Sequence, residues 1–210
     1  MLALSISITF CLSNISKAYD YAGSWDSTAN HQANVFGGPI NTATAVNWYH
    51  AQGIPRHKLI IGLPLYGRSF MNTHGPGHPF NGVGEGTWER GSYDYRALPL
   101  PGAAVHHDQQ ALASWSYDPN KKEMITFDDE HVAAWKADWI VREHLGGAMF
   151  WELSSDKGAP REEMEGGHGK DPQPGRSLVS VVRERFGKLD DSPNNLDYSG
   201  SCFDNLRNGM

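Results

Sequence analysis

The chain has 210 residues, and its 24 acidic against 18 basic side chains give a formal net charge of −6. Hydrophobic residues make up 39% and aromatic residues 11%, which is enough for a packed core and too much for a disordered chain. The net negative charge and the lack of a basic run argue against a nucleic acid or an anionic membrane surface as a partner. Two cysteines, Cys11 and Cys202, are too few for a disulfide framework, and the sequence leaves open whether they pair. The ten His show no ligand spacing, so we expect no metal and no cofactor.

The amino-terminal segment, residues 1–12, is an apolar stretch too short to span a bilayer. Its length suits a secretory signal, and Ser16-Lys17-Ala18 resembles a cleavage site. However, no Lys or Arg precedes the stretch, and cleavage after Ala18 would leave the mature chain starting inside the next strand. We therefore interpret residues 1–17 as an apolar leader whose sequence weighs against a working signal peptide.

The next elements alternate between strand and helix patterns. Residues 18–26 predict a short aromatic strand that ends in a Gly-Ser turn, and residues 42–52 predict a helix with Asn41 or Thr42 as its N-cap. The apolar run over 59–66 is typical of a strand buried on both faces of a parallel sheet. Pro64 cannot donate a ladder hydrogen bond, so the strand is expected to end there.

Tyr66 and Arg68 follow this strand end and are two residues apart, which places them on the same side. Because ligand sites of parallel α/β sheets lie at the carboxyl ends of the strands, the pair indicates a binding site. The alternative is a surface Arg beside a core Tyr.

Residues 67–127 are rich in Gly and Pro and predict an insertion with strands over 91–98, 113–117 and 123–127. Five aromatic residues are expected to form its small core: Trp88, Tyr93, Tyr95, Trp115 and Tyr117.

The carboxyl-terminal third returns to helix and strand patterns. A helix is predicted over 130–145 with Val132, Trp135, Trp139 and Ile140 on one face, and the acidic run at 128–130 is interpreted as its N-terminal cap. A strand follows over 148–153, and Ser177 is expected to cap a last helix that ends at Gly187. Alternation of this kind predicts an α/β fold with parallel strands and right-handed crossovers.

Several segments resemble, in their order and spacing, the signatures of glycoside hydrolase family 18 chitinases. These are YDYAGSW at 19–25, GLPLYGR at 62–68 and GGAMFWE at 146–152, while GEGTWE at 84–89 and FDNLR at 203–207 are similar to fungal endochitinases. The family fold is a TIM (β/α)8 barrel with a small α+β insertion after its seventh strand. The resemblance therefore implies the carboxyl-terminal half of that fold, a partial barrel of strands six to eight over 18–66 and 128–189, with the insertion over 67–127 and a tail over 190–210.

The same resemblance implies a chemistry for five residues. The family cleaves β-1,4 bonds between N-acetylglucosamine units: a protonated Glu gives its proton to the leaving oxygen, and the acetamido oxygen of the substrate attacks the anomeric carbon. Tyr19 would hydrogen-bond the acetamido carbonyl, and Asp20 would orient the same sugar. Tyr66 and Arg68 would contact neighbouring hydroxyls, and Trp151 would form the floor on which the reacting sugar stacks. An aromatic floor with polar groups at its rim suits a sugar.

Each of these residues also has a purely structural interpretation. Tyr19 fits a core aromatic, Asp20 a turn acid, and Trp151 simple barrel packing. Glu152 is expected to point away from Trp151 and to pair structurally. Trp25 fits a sugar subsite and a staple over the sixth strand equally well.

The sequence departs from the family where the reaction needs it most. It contains no Asp-x-x-Asp-x-Asp-x-Glu run, which carries the acid on the fourth strand, and Lys17 stands where a Met is usual. We therefore expect a partial chitinase that does not hydrolyse chitin alone. The alternatives are a protein that binds chitin oligosaccharides without cleaving them and a silent structural fragment. The expected partner is chitin or an N-acetylglucosamine oligosaccharide. The family implies an extracellular protein. The open edges on strands six and eight predict that the chain associates with itself.

Overall fold

A computed structural model of the protein describes residues 14–158, 175–192 and 202. Its helices are α1 (Thr42–Ala51), α2 (Glu130–Arg142) and α3 (Leu178–Phe186). Its strands are β1 (Asn14–Lys17), β2 (Leu59–Pro64), β3 (Tyr66–Met71), β4 (Ser92–Asp94), β5 (Ala104–Asp108), β6 (Ala113–Asp118), β7 (Glu123–Thr126) and β8 (Gly147–Trp151). They form a three-stranded sheet in the order β1-β2-β8 and a five-stranded sheet in the order β4-β3-β7-β6-β5.

The three-stranded sheet is parallel throughout, with Ile15 opposite Ile60 and Ile60 opposite Gly147. The predicted α/β class is therefore confirmed, although the described strands do not close a barrel. The outer two strands each pair along one edge within the described part of the chain. Consistent with an open sheet, Ile15 is 61% exposed and Phe150 is only half-buried.

The strand predicted over 18–26 is wrong in position. The observed strand is β1, which lies within the residues interpreted above as a leader. Residues 18–20 follow its end. Asp20 has φ +61, a left-handed conformation that cannot continue a strand. The aromatic segment is thus the loop at the carboxyl end of the strand.

The central strand ends at Pro64 as expected, but the chain does not enter a loop there. After Leu65 alone, it begins β3 in the second sheet. Leu65 is fully buried; its amide donates to the carbonyl of Trp151, and its carbonyl accepts from the amide of Tyr95. One residue therefore joins the two sheets.

The five-stranded sheet is antiparallel and contains the three strands predicted for the insertion, as β4, β6 and β7. The sequence did not predict β3 and β5. A Cβ at Gly67 would lie 2.7 Å from Cγ2 of Ile125, so a glycine lets β3 approach the core closely. The prediction of a core role for Trp88 is wrong, because 74% of this residue is exposed.

The three helices begin at the predicted caps. Asn41, Asp129 and Ser177 each accept a hydrogen bond from a backbone amide in the first turn, and α3 ends at Gly187 with φ +68. On α2, Val132, Trp139 and Ile140 are buried as predicted, whereas Trp135 is only half-buried. No helix within the described residues is long and apolar enough to cross a bilayer.

A buried ion pair fastens α2 to the rest of the fold. The Lys136 ammonium lies 2.8 and 2.6 Å from the two carboxylate oxygens of Asp128 and also donates to the carbonyl of Ala33. Gln32, which precedes Ala33, donates from its side-chain amide to the carbonyl of Tyr66 at 2.7 Å. The loop that follows Tyr19 and Asp20 is thereby held against both α2 and β3.

Candidate functional site

The five residues predicted to form a site line one cavity of about 590 Å³, here called the cleft. Tyr19 and Asp20 follow β1, Tyr66 and Arg68 lie on β3, and Trp151 ends β8. The cleft therefore lies where the carboxyl ends of the parallel strands meet the edge of the antiparallel sheet. Neighbouring strand ends explain why side chains far apart in sequence converge.

Asp20 is the centre of the polar side of the cleft. Its Oδ1 accepts from the Tyr66 hydroxyl at 2.6 Å and from Nε and Nη2 of Arg68 at 2.9 and 2.7 Å. Its Oδ2 lies 2.8 Å from the Lys17 ammonium. Burial raises the pKa of the Asp20 carboxyl, but the hydrogen bonds from Lys17, Tyr66 and Arg68 outweigh it and hold the pKa below its ordinary value. Asp20 is therefore an ionised anchor.

The two tyrosines are neutral, and the Tyr66 hydroxyl donates to Asp20. Their rings meet edge to face with centroids 6.0 Å apart. Burial, followed by the hydrogen bond to Asp20, raises the pKa of Tyr66, and burial also raises the pKa of Tyr19. The Lys17 ammonium lies 5.1 Å from the centre of the Tyr19 ring.

Arg68 is held by aromatic rings as well as by Asp20. Its guanidinium carbon lies 5.2 Å from the ring centre of Trp25 and 5.4 Å from that of Tyr66. Trp25 also folds over Gly23, where a Cβ would come within 2.3 Å of the indole. Trp25 does not itself line the cleft but lies against Arg68, which does, so the subsite and staple interpretations both stay predictions.

Trp151 lines the cleft and is accessible to solvent, since 56% of the residue is exposed. Glu152 also contributes to the lining of the cleft, and the direction of its side chain relative to Trp151 stays a prediction. Glu152 lies beyond the end of β8, where its Oε1 accepts from the Ser154 hydroxyl at 2.6 Å.

Asp94 and its contacts at the cleft were not predicted from the sequence. Asp94 borders the cleft, is only 4% exposed, and accepts from the indole nitrogen of Trp88 and from the Ser155 hydroxyl. These partners lie 6 and 61 positions away in sequence, so no local pattern points to them. Among the described residues, no group of three His, Cys, Asp or Glu side chains is placed to hold a metal ion.

Comparison with known proteins identifies the family. A profile of glycosyl hydrolases family 18 matches residues 16–156. The chain belongs to this family. Chitinase 1 of Aphanocladium album is 42% identical over 200 residues, and endochitinase 1 of Metarhizium robertsii is 38% identical over the same length. Each match covers 92% of this chain but 44% of the relative, so the chain spans less than half the length of these curated relatives.

Solved structures agree with the family 18 assignment. Chitinase ChiA74 from Bacillus thuringiensis superposes with a TM-score of 0.71 at 26% identity, over 86% of this chain and 33% of that one. A class V chitinase mutant from Nicotiana tobaccum, solved in complex with NAG4, gives a TM-score of 0.67 at 22% identity over 81% of this chain and 47% of that one. The second likeness concerns the fold alone. The resemblance seen in the motifs is confirmed, and chitin hydrolysis is supported at the level of the family.

Proposed function

We propose that this chain forms the sugar-binding side of a family 18 chitinase cleft, as a partial barrel of strands six to eight with the insertion. We further propose that it binds N-acetylglucosamine oligosaccharides without cleaving them by itself. The observation that carries the proposal is the set of three hydrogen bonds on Oδ1 of Asp20, which fix Tyr66 and Arg68 beside the open ring of Trp151. A site held this firmly before the ligand arrives loses little freedom on binding.

The arrangement suits an N-acetylated sugar. The exposed Trp151 ring offers a flat surface for the C–H face of a pyranose. The neutral Tyr19 hydroxyl is a donor for the acetamido carbonyl, and Asp20 orients the same sugar unit. Tyr66 and Arg68 stand at the rim for neighbouring hydroxyls. The NAG4 ligand of the Nicotiana chitinase supports this class of ligand.

Hydrolysis needs a protonated carboxylic acid near the bond that breaks. The sequence lacks the Asp-x-x-Asp-x-Asp-x-Glu run, and Asp20 is held ionised, so it does not supply that proton. Loss of a general acid removes about 10²- to 10⁴-fold in rate. We therefore propose binding without turnover for this chain.

A purely structural fragment is the competing interpretation. Trp151 is 56% exposed and lines the cleft, but it ends β8, an outer strand of the open sheet, so both interpretations account for its exposure. The binding experiment decides between them. An extracellular location and self-association through the edges of β1 and β8 complete the proposal.

Isothermal titration with tetra-N-acetylchitotetraose tests the binding. We expect Trp151→Ala to abolish the heat of binding and Trp48→Ala to preserve it, because Trp48 is 59% exposed on α1 but does not border the cleft. Equal binding by wild type and Trp151→Ala would refute the site, and no binding by wild type would favour the structural fragment. Release of fluorophore from a labelled chitobiose would refute the absence of turnover.

A further inference from the structure

We infer that Asp94 is a positioning residue that holds the two sides of the cleft at a fixed separation; the inference rests on the proposed function. Asp94 ends β4 and lies opposite Tyr66 in the antiparallel sheet. It is buried, with 4% of its surface exposed. Nothing in the family motifs that pointed to the site includes it.

Both oxygens of the Asp94 carboxylate are used, and they hold different parts of the chain. Oδ2 accepts from the Trp88 indole nitrogen at 3.1 Å and from Nε of Arg96 at 3.0 Å. Oδ1 accepts from the Ser155 hydroxyl at 3.0 Å. The Asp94 amide also donates to the Thr87 hydroxyl at 2.7 Å. This is a second hydrogen bond between Asp94 and the segment that carries Trp88.

These contacts join the two walls of the cleft. Trp88 belongs to the insertion, whereas Ser155 ends the short turn Leu153–Ser155 that follows Trp151. Trp88 and Trp151 are the two exposed tryptophans that border the cleft; Asp94 contacts Trp88 directly and the turn after Trp151 through Ser155. A buried carboxylate must keep its hydrogen bonds, because an unpaired charge in the interior is costly. Asp94 therefore fixes both walls before a ligand binds.

The expected consequence concerns affinity rather than stability. When either contact is removed, the released wall must be ordered by the ligand, which costs binding free energy for each side chain that becomes immobilised. The corresponding loss is about 3- to 10-fold in affinity. The Arg96 guanidinium still neutralises the Asp94 carboxylate when one contact is removed, so folding is expected to survive.

The test is titration of tetra-N-acetylchitotetraose into Ser155→Ala and Trp88→Phe, each of which removes one donor; Trp88→Phe also replaces the indole by a smaller ring. We expect each variant to bind about 3- to 10-fold more weakly than wild type. In an Asp94→Ala background, which lacks both acceptor oxygens, both changes are expected to have little further effect, because the contacts they remove are already absent. Ser116→Ala is the control for the loss of a buried hydroxyl; this serine lies in β6, and within the described part of the chain its hydroxyl has no hydrogen-bond partner.

Wild-type affinity in both Ser155→Ala and Trp88→Phe would overturn the inference, and Trp151→Ala would still report whether the proposed function holds. Weaker binding that comes with incomplete folding at the assay temperature, measured by circular dichroism, would make the role of Asp94 merely structural and would also overturn it. Fully additive losses in the Asp94→Ala background would show that the walls do not act through Asp94. No binding by wild type would remove the proposed function and this inference together.

Discussion

The buried pair of Lys136 and Asp128 gives the sharpest stability prediction. Lys136 is 1% exposed and Asp128 is 4% exposed, so Lys136→Met leaves a carboxylate in the interior without its cation. Breaking one side of such a pair costs about 3–5 kcal/mol. Because typical domains are stable by only about 5–15 kcal/mol, this loss is a large share of the total. The Met side chain keeps the volume of the lysine stem, so the cost reports mainly the uncompensated charge.

The same variant has a pH dependence of known sign. Burial already raises the pKa of Asp128, and Lys136 opposes that rise, so removal of Lys136 raises the pKa further. A carboxyl whose folded pKa lies above its unfolded value contributes stability below the unfolded pKa, and this stability is lost as the pH rises through the folded pKa. The deficit of Lys136→Met relative to wild type is therefore expected to be small near about pH 4 and largest above neutral pH.

Equilibrium urea unfolding, followed by tryptophan fluorescence between about pH 4 and pH 8, measures this deficit. A second change, Asp128→Asn, is expected to recover part of it, since the buried charge is then gone. Arg142→Met on the same helix is the control: its side chain is 66% exposed, and loss of its surface pair should cost less than about 1 kcal/mol. A deficit below about 1 kcal/mol for Lys136→Met at neutral pH, or one that does not change with pH, would refute the reasoning.

Two further predictions concern the cleft and the open sheet. Lys17→Met removes the ammonium from Oδ2 of Asp20 and from beside the Tyr19 ring, so the affinity for tetra-N-acetylchitotetraose should rise, by up to about 5-fold for the loss of an exposed ion pair. Weaker binding by this variant would mean that Lys17 contacts the ligand instead of competing with it. Ile15→Lys places a charge on the exposed edge strand β1 and should shift the chain from assemblies toward monomer in sedimentation velocity. A wild-type chain that is already a uniform monomer would contradict the proposed self-association.

Features fixed by neighbouring residues were predictable from the sequence. The capping side chains of Asn41, Asp129 and Ser177 act within their own first turns, and each helix begins where its cap predicted. The strand-end rule pointed to Tyr66 and Arg68, whereas Tyr19, Asp20 and Trp151 came from the family motifs. The structure then brings the five predicted site residues to one cleft.

Features fixed by distant partners were not predictable. Residues 66–71 have no strong strand pattern, and their strand depends on pairing with β7, where Ser69 lies opposite Ile125. The buried Lys136 interrupts the apolar face of α2 and is tolerated only because Asp128 and Ala33 satisfy its ammonium. Asp94 likewise gains its role from Ser155, which comes from a different part of the chain.

The joint at Leu65 has a consequence for how the molecule can move. The chain from Leu59 to Met71 runs through both sheets with a single residue between them, and that residue is hydrogen-bonded on both sides. Such a short, interior connection leaves no room for a hinge at this point. We therefore expect the two sheets to keep their relative orientation at this joint, and any widening of the cleft to come from the loops around it.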